Sequence, residues 1–160
     1  MFIQYWLIGY GSSCPSGWLS DDGTDCCRNS NAVSTPDVPA TQLANVELTG
    51  SATANGNGND SITFTNGSTA YSISANDSVV KLATVWKSSE FNVVGNAGGS
   101  RANFNSGSSI TVKVAATNGS TAAPTCAANA GTTGETNNLN LGSCTASGGT
   151  TPSIAFTEAN

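Results

Sequence analysis

The chain contains no histidine, so any chemistry it performs must rest on carboxylates, amides, hydroxyls or a thiol. That absence removes the Ser-His-Asp triad, the Cys-His dyad, His-ligated metal centres and a histidine pH switch. The segment best placed for acid–base work is Trp86-Lys87-Ser88-Ser89-Glu90-Phe91-Asn92-Val93-Val94. Glu90 is the one acid in this apolar run, and strand alternation would set it on the same face as Asn92. A carboxyl flanked in this way could hold its proton to higher pH and act as general acid or base. Against that stand an ion pair with Lys87 or Arg101, or a solvated place on an outer face.

Glu135 lies in Thr133-Gly134-Glu135-Thr136-Asn137-Asn138, among oxygen donors that suit a sugar hydroxyl or a hard cation. One carboxylate makes a thin calcium site, so no metal and no cofactor is assigned. Glu90 and Glu135 together would serve a glycosidase only if their carboxyls stood about 5 to 9 Å apart. Trp18 and Trp86 are candidate sugar-stacking platforms, with burial in the core as the competing use.

The elements holding these residues are read from composition and pattern. Only 9% of residues are charged, while Asn, Gly, Ser, Thr and Ala dominate, which favours strands and turns over helices. A net charge of -5 argues against a nucleic-acid partner. Val46/Leu48, Ile62/Phe64, Tyr71/Ile73, Ile110/Val112/Val114 and Ile154/Phe156 each alternate with polar neighbours, the period of half-buried strands. Asn66-Gly67 is a hairpin signal between two of these runs, Asn55 to Asp60 is a Gly/Asn loop, and Asn118-Gly119 ends another run. Val79 to Trp86 is assigned to a strand over a short helix because of Val79, Val80 and Val85, and Glu90 to Val94 is a further strand. Met1 to Tyr10 is too short to span a bilayer and lacks the basic start of an export signal, so it is taken as a buried aromatic strand. A chain opening directly on such a strand is expected to be part of a larger precursor.

Cys14, Cys26, Cys27, Cys126 and Cys144 fall in two clusters. Pairing Cys14 with Cys26 and Cys126 with Cys144 would close two Gly/Ser/Asn-rich stretches that could not otherwise hold a shape. Cys27 is then a free thiol and a rival for Cys14, since neighbouring thiols would have similar reach. The alternative, a thiolate metal site, lacks any Cys-x-x-Cys pair. Asn59, Asn66, Asn76 and Asn118 begin Asn-x-Ser sequons, which an Asn/Ser-rich chain also produces by chance.

These features predict one all-β domain over residues 1–160, an antiparallel β-sandwich of jelly-roll or concanavalin-like form, truncated at its start. Cysteine-closed loops would occupy 11–31 and 124–145, with Trp18 plugging the first. The Ser-Glu-Phe stretch at Glu90, the aromatic strand around Trp6 and the hairpin Ser61 to Ser74 resemble the secreted glutamic peptidases, β-sandwich enzymes that use a Glu and a Gln. Carried over, that resemblance puts the catalytic glutamate at Val94 and the catalytic glutamine before Met1, leaving Gln4 as the nearby amide. Cys14 to Trp18, Glu90 to Val93, Ala102 to Ser108 and Thr133 to Leu139 resemble uncharacterised secreted bacterial proteins, a likeness that implies no activity.

The expected function is a secreted, non-catalytic module binding a polysaccharide or protein surface through Glu135, Asn92, Trp18 and Trp86. The rival functions are a carboxylate-dependent hydrolase using Glu90, and an assembly protein that self-associates through an unpaired strand edge.

Overall fold

The computed structural model describes residues 1–53, 58–95 and 99–160. It is mostly strand, arranged in antiparallel sheets, as the composition predicts. Of the expected Asn55 to Asp60 loop, residues 55–57 lie outside the described residues, and Asn59 and Asp60 belong to a strand. The chain divides into two compact units, Met1–Lys87 and Ser88–Asn160.

In the first unit, β1 (Phe2–Leu7), β2 (Leu19–Asp21) and β3 (Asp25–Ala32) form one antiparallel sheet in the order β1-β3-β2. β4 (Val46–Ala52), β5 (Asn59–Asn66) and β6 (Thr69–Asn76) form a second. The hairpin signal at Asn66-Gly67 is realised as a tight turn: Asn66 pairs with Thr69, and Gly67 takes φ 60°, a left-handed conformation that glycine adopts without a Cβ clash. Ile62 stands opposite Ile73 and Phe64 opposite Tyr71, so the apolar members of both strands share one face. β1 approaches β5 and β6 across this face, and Tyr5 is its buried aromatic.

Two expectations for this unit are corrected. Met1 to Tyr10 is not buried throughout: Phe2 and Trp6 are exposed because β1 turns only alternate residues inward, and Ile8 and Tyr10 are exposed beyond its end. Val79 to Trp86 is not a strand. It holds a 3-10 turn (Asp77–Val79) and a single helical turn, α1 (Leu82–Val85), separated by Lys81 at φ 57°. The Asp77 carboxylate accepts the Ala83 N–H at 2.8 Å, and this side-chain cap outweighs the β-branched preference of three valines.

In the second unit, β11 (Ser153–Ala159) is the organising strand. β7 (Ser109–Ala115) pairs with it along its whole length, while β10 (Thr145–Ser147) and β9 (Asn140–Leu141) divide its other side, with β8 (Gly131–Thr132) beyond β9. Val112 and Leu139 are buried here. Glu90 to Val94, expected as a strand, pairs with no strand among the described residues.

Both predicted disulfides are present, Cys14–Cys26 in the first unit and Cys126–Cys144 in the second, and Cys27 is free. The rivalry for Cys14 does not arise. Cys26 pairs with Leu7 and Ser20 across the sheet, Cys27 with Trp6 and Leu19, so the adjacent sulfurs project from opposite faces.

Candidate functional site

Glu135 is the sequence-derived candidate that the structure seats in a concavity. A cleft of about 450 Å³ is lined by Arg101, Thr133, Glu135, Asn137, Asn138 and Asn140, among others. The loop that forms it is held by side chains acting as backbone. Glu135 Oε2 accepts Val93 N–H at 2.6 Å, and Asn137 Nδ2 donates to Val93 O at 2.8 Å, so the two side chains give Val93 the pair of bonds a neighbouring strand would have given it. Asn138 repeats this at Phe104, accepting its N–H and donating to its carbonyl, both at 2.8 Å. Asn137 Oδ1 meanwhile accepts Thr133 Oγ1 and Leu139 N, both at 2.9 Å.

Within the irregular stretch Glu90 to Val94, Val93 therefore has its backbone N–H and C=O satisfied by a carboxylate and an amide from a loop instead of a ladder. Glu90 itself is exposed, and its described hydrogen bond comes from Asn92 Nδ2 at 3.3 Å. The segment forms no strand that would give the two residues a common face, and neither lines the cleft. Gln4, in the other unit, bridges the outer face of its sheet, accepting from Trp6 Nε1 at 2.8 Å and donating to Asn29 at 3.0 Å. Trp18 is half-buried in its loop. Trp86 is 46% exposed and lies over Gly50, where an added Cβ would stand 3.4 Å from its ring.

Glu158, missed in the sequence, sits on β11 between Ile110 and Leu141 and is 2% exposed. Burial raises its pKa, with the Glu135 charge adding to the effect. Its Oε2 has no hydrogen-bond partner. A signal for it was available: Ile154, Phe156 and Glu158 are spaced by two, so the acid continues the apolar face of its strand.

The first unit contains a pair of buried acids, Asp60 and Asp77. Asp60 on β5 continues the Ile62/Phe64 face in the same way, and Asp77 continues the Tyr71/Ile73 face of β6. Because Asp60 stands opposite Ala75, Asp77 falls one step along the same face, where its carboxyl acts on that of Asp60. Tyr5 Oη donates to Asp60 Oδ2 at 2.8 Å. Burial raises the Asp60 pKa, the Tyr5 hydrogen bond opposes the rise, and the neighbouring Asp77 carboxyl adds to it. Tyr5 is raised in turn, by burial first and then by its bond to Asp60.

Among the described residues, no cluster of three or more His, Cys, Asp or Glu side chains is placed to hold a metal ion, and no helix is long and apolar enough to cross a membrane. The fold and the site define an all-β, disulfide-stapled protein with a polar cleft. Comparison with protein-family models, curated proteins and solved structures gives no match.

Proposed function

We propose that the chain is an extracellular, non-catalytic binding protein of the β-sandwich, jelly-roll type whose second unit holds a neutral, polyhydroxylated ligand such as a glycan. The observation that carries this reading is the lining of the Glu135 cleft: amides and threonine hydroxyls, one carboxylate and one guanidinium. Planar amide and carboxylate groups offer paired donors and acceptors to adjacent sugar hydroxyls. Among the described residues the cleft lining includes no aromatic side chain, so hydrogen bonds must do the holding and affinity should be modest. Two disulfides are consistent with an extracellular location.

Calorimetric titration with a panel of neutral and acidic oligosaccharides tests the proposal. Arg101→Ala and Asn140→Ala, which spare the loop's internal bonds, should each weaken binding by about 5- to 30-fold. An unchanged affinity in both variants, or no binding across the panel, would discard the cleft as the site.

A second reading, assembly through the first unit, is favoured by the outward face of its β1-β3-β2 sheet. Trp6, Cys27 and Leu19 stand in one row across that face, and β1 pairs with β3 alone among the described strands. Edges and apolar rows of this kind recruit further chains. Concentration-dependent light scattering that Trp6→Ser abolishes would support it.

A further inference from the structure

The buried Asp60–Asp77 pair is unusual in what it leaves unfinished. Asp60 is 2% exposed and Asp77 fully buried. Each carboxyl has one oxygen engaged: Asp60 Oδ2 by Tyr5, Asp77 Oδ1 by the Ala83 amide. Each also has one oxygen, Asp60 Oδ1 and Asp77 Oδ2, with no partner among the described residues. Two ionised carboxylates in contact away from water would repel strongly, and each orphan oxygen would bear its own desolvation cost. One proton between them removes the repulsion and satisfies both atoms.

We propose that Asp60 and Asp77 share a single proton and that this acid–carboxylate pair is a latch, holding the segment from Asp77 to Trp86 on the first unit at low pH and loosening it as pH rises. Asp77 is the hinge of that segment. Its backbone N–H donates to Gly58 O, its carbonyl accepts from Lys81 N, and its side chain caps α1, which carries Trp86 onto Gly50 of β4. The other groups around the pair are few. β1 contributes the Tyr5 hydroxyl, and Arg28 of β3, opposite Tyr5, adds positive potential there. The one acid of β4, Glu47, lies at the far end opposite Thr65; the titratable residue of β6 is Tyr71, opposite Phe64; Lys81 is exposed. Arg28 acts on the Tyr5 hydroxyl, and among the described residues no cation is hydrogen-bonded to either carboxyl.

The direction follows from linkage. A carboxyl whose folded pKa is raised favours the closed state fully below the ordinary aspartate value of about 3.9. That advantage falls by up to tenfold per pH unit as pH rises toward the raised value, then levels off.

Carboxyl carbon NMR on the full chain, with aspartate labelled, reads the proton directly. Amide exchange at Ala83 reads the latch. We expect one labelled carboxyl to keep the shift of a protonated acid above the ordinary aspartate range, and Ala83 protection to fall by up to tenfold per pH unit over the same interval. Asp60→Asn, whose amide can donate to Asp77, should remove the slope while keeping protection. Tyr5→Phe removes the bond that holds Asp60 down, so the midpoint should move to higher pH; this variant decides the matter if Asp60→Asn fails to fold. Ordinary titration of both carboxyls would overturn the proposal. So would a Tyr5→Phe midpoint moving downward, or a titration that millimolar calcium displaces, because a cation would then hold the pair.

Discussion

At the scale of the residue, the acids divide by how their neighbours alternate. Glu90 drew attention because apolar residues surround it in sequence, yet those residues belong to no strand, so adjacency did not become burial. Asp60, Asp77 and Glu158 had polar or small neighbours and looked unremarkable, but each stands two positions from a strand's apolar face and is carried inside. Glu158 permits a direct check. Its raised pKa means that it supports the fold below the ordinary glutamate value of about 4.3 and that this support is lost as pH rises through its folded value. Wild type should therefore show a decline in urea-unfolding stability of the second unit across that interval, read by amide exchange on β7 and β11. Glu158→Gln should flatten it. A decline of the same steepness in both would place its origin elsewhere.

Among the elements, the strands legible in the sequence were those whose partners are strands. Ile110 to Val114 and Ile154 to Phe156 lie in β7 and β11, and Ile62/Phe64 faces Tyr71/Ile73 across the Asn66-Gly67 turn. Where the partner is a side chain, local pattern misled. Glu90 to Val94 lost its ladder to Glu135 and Asn137, and Val79 to Trp86 bent around the Asp77 carboxylate. Both errors come from side-chain-to-backbone bonds, the last between residues six apart and the others more than forty apart, which no reading of apolar period contains. The abundance of asparagine, read initially as loop composition, is in part a supply of backbone surrogates. The hairpin gives the element-scale prediction. Gly67→Val places a branched side chain at φ 60° and should cost about 1–2 kcal/mol in denaturant midpoint stability of the first unit. A Gly67→Asn change should be milder than valine, since Asn tolerates the left-handed region.

For the whole molecule, the question is what holds two small units that bury so few large side chains. Tyr5 and Cys26 are the buried apolar residues of the first unit among those described, Val112 and Leu139 those of the second, and each unit places acids in its interior. Small cores of this kind are commonly completed by covalent cross-links. Each unit has its own disulfide, spanning 12 residues in one and 18 in the other, so each should depend on its own bond. All three tryptophans, Trp6, Trp18 and Trp86, belong to the first unit, so their fluorescence follows that unit alone. Replacing Cys14 and Cys26 by alanine should lower the stability measured by fluorescence by about 2–4 kcal/mol. The Cys126/Cys144 double variant should show a loss of similar size in the exchange of β7 and β11 amides. If either replacement left its own unit's stability within about 0.5 kcal/mol of wild type, the hydrogen-bonded loops would be the principal support, with Asn137 and Asn138 doing in the second unit what the disulfide was assigned.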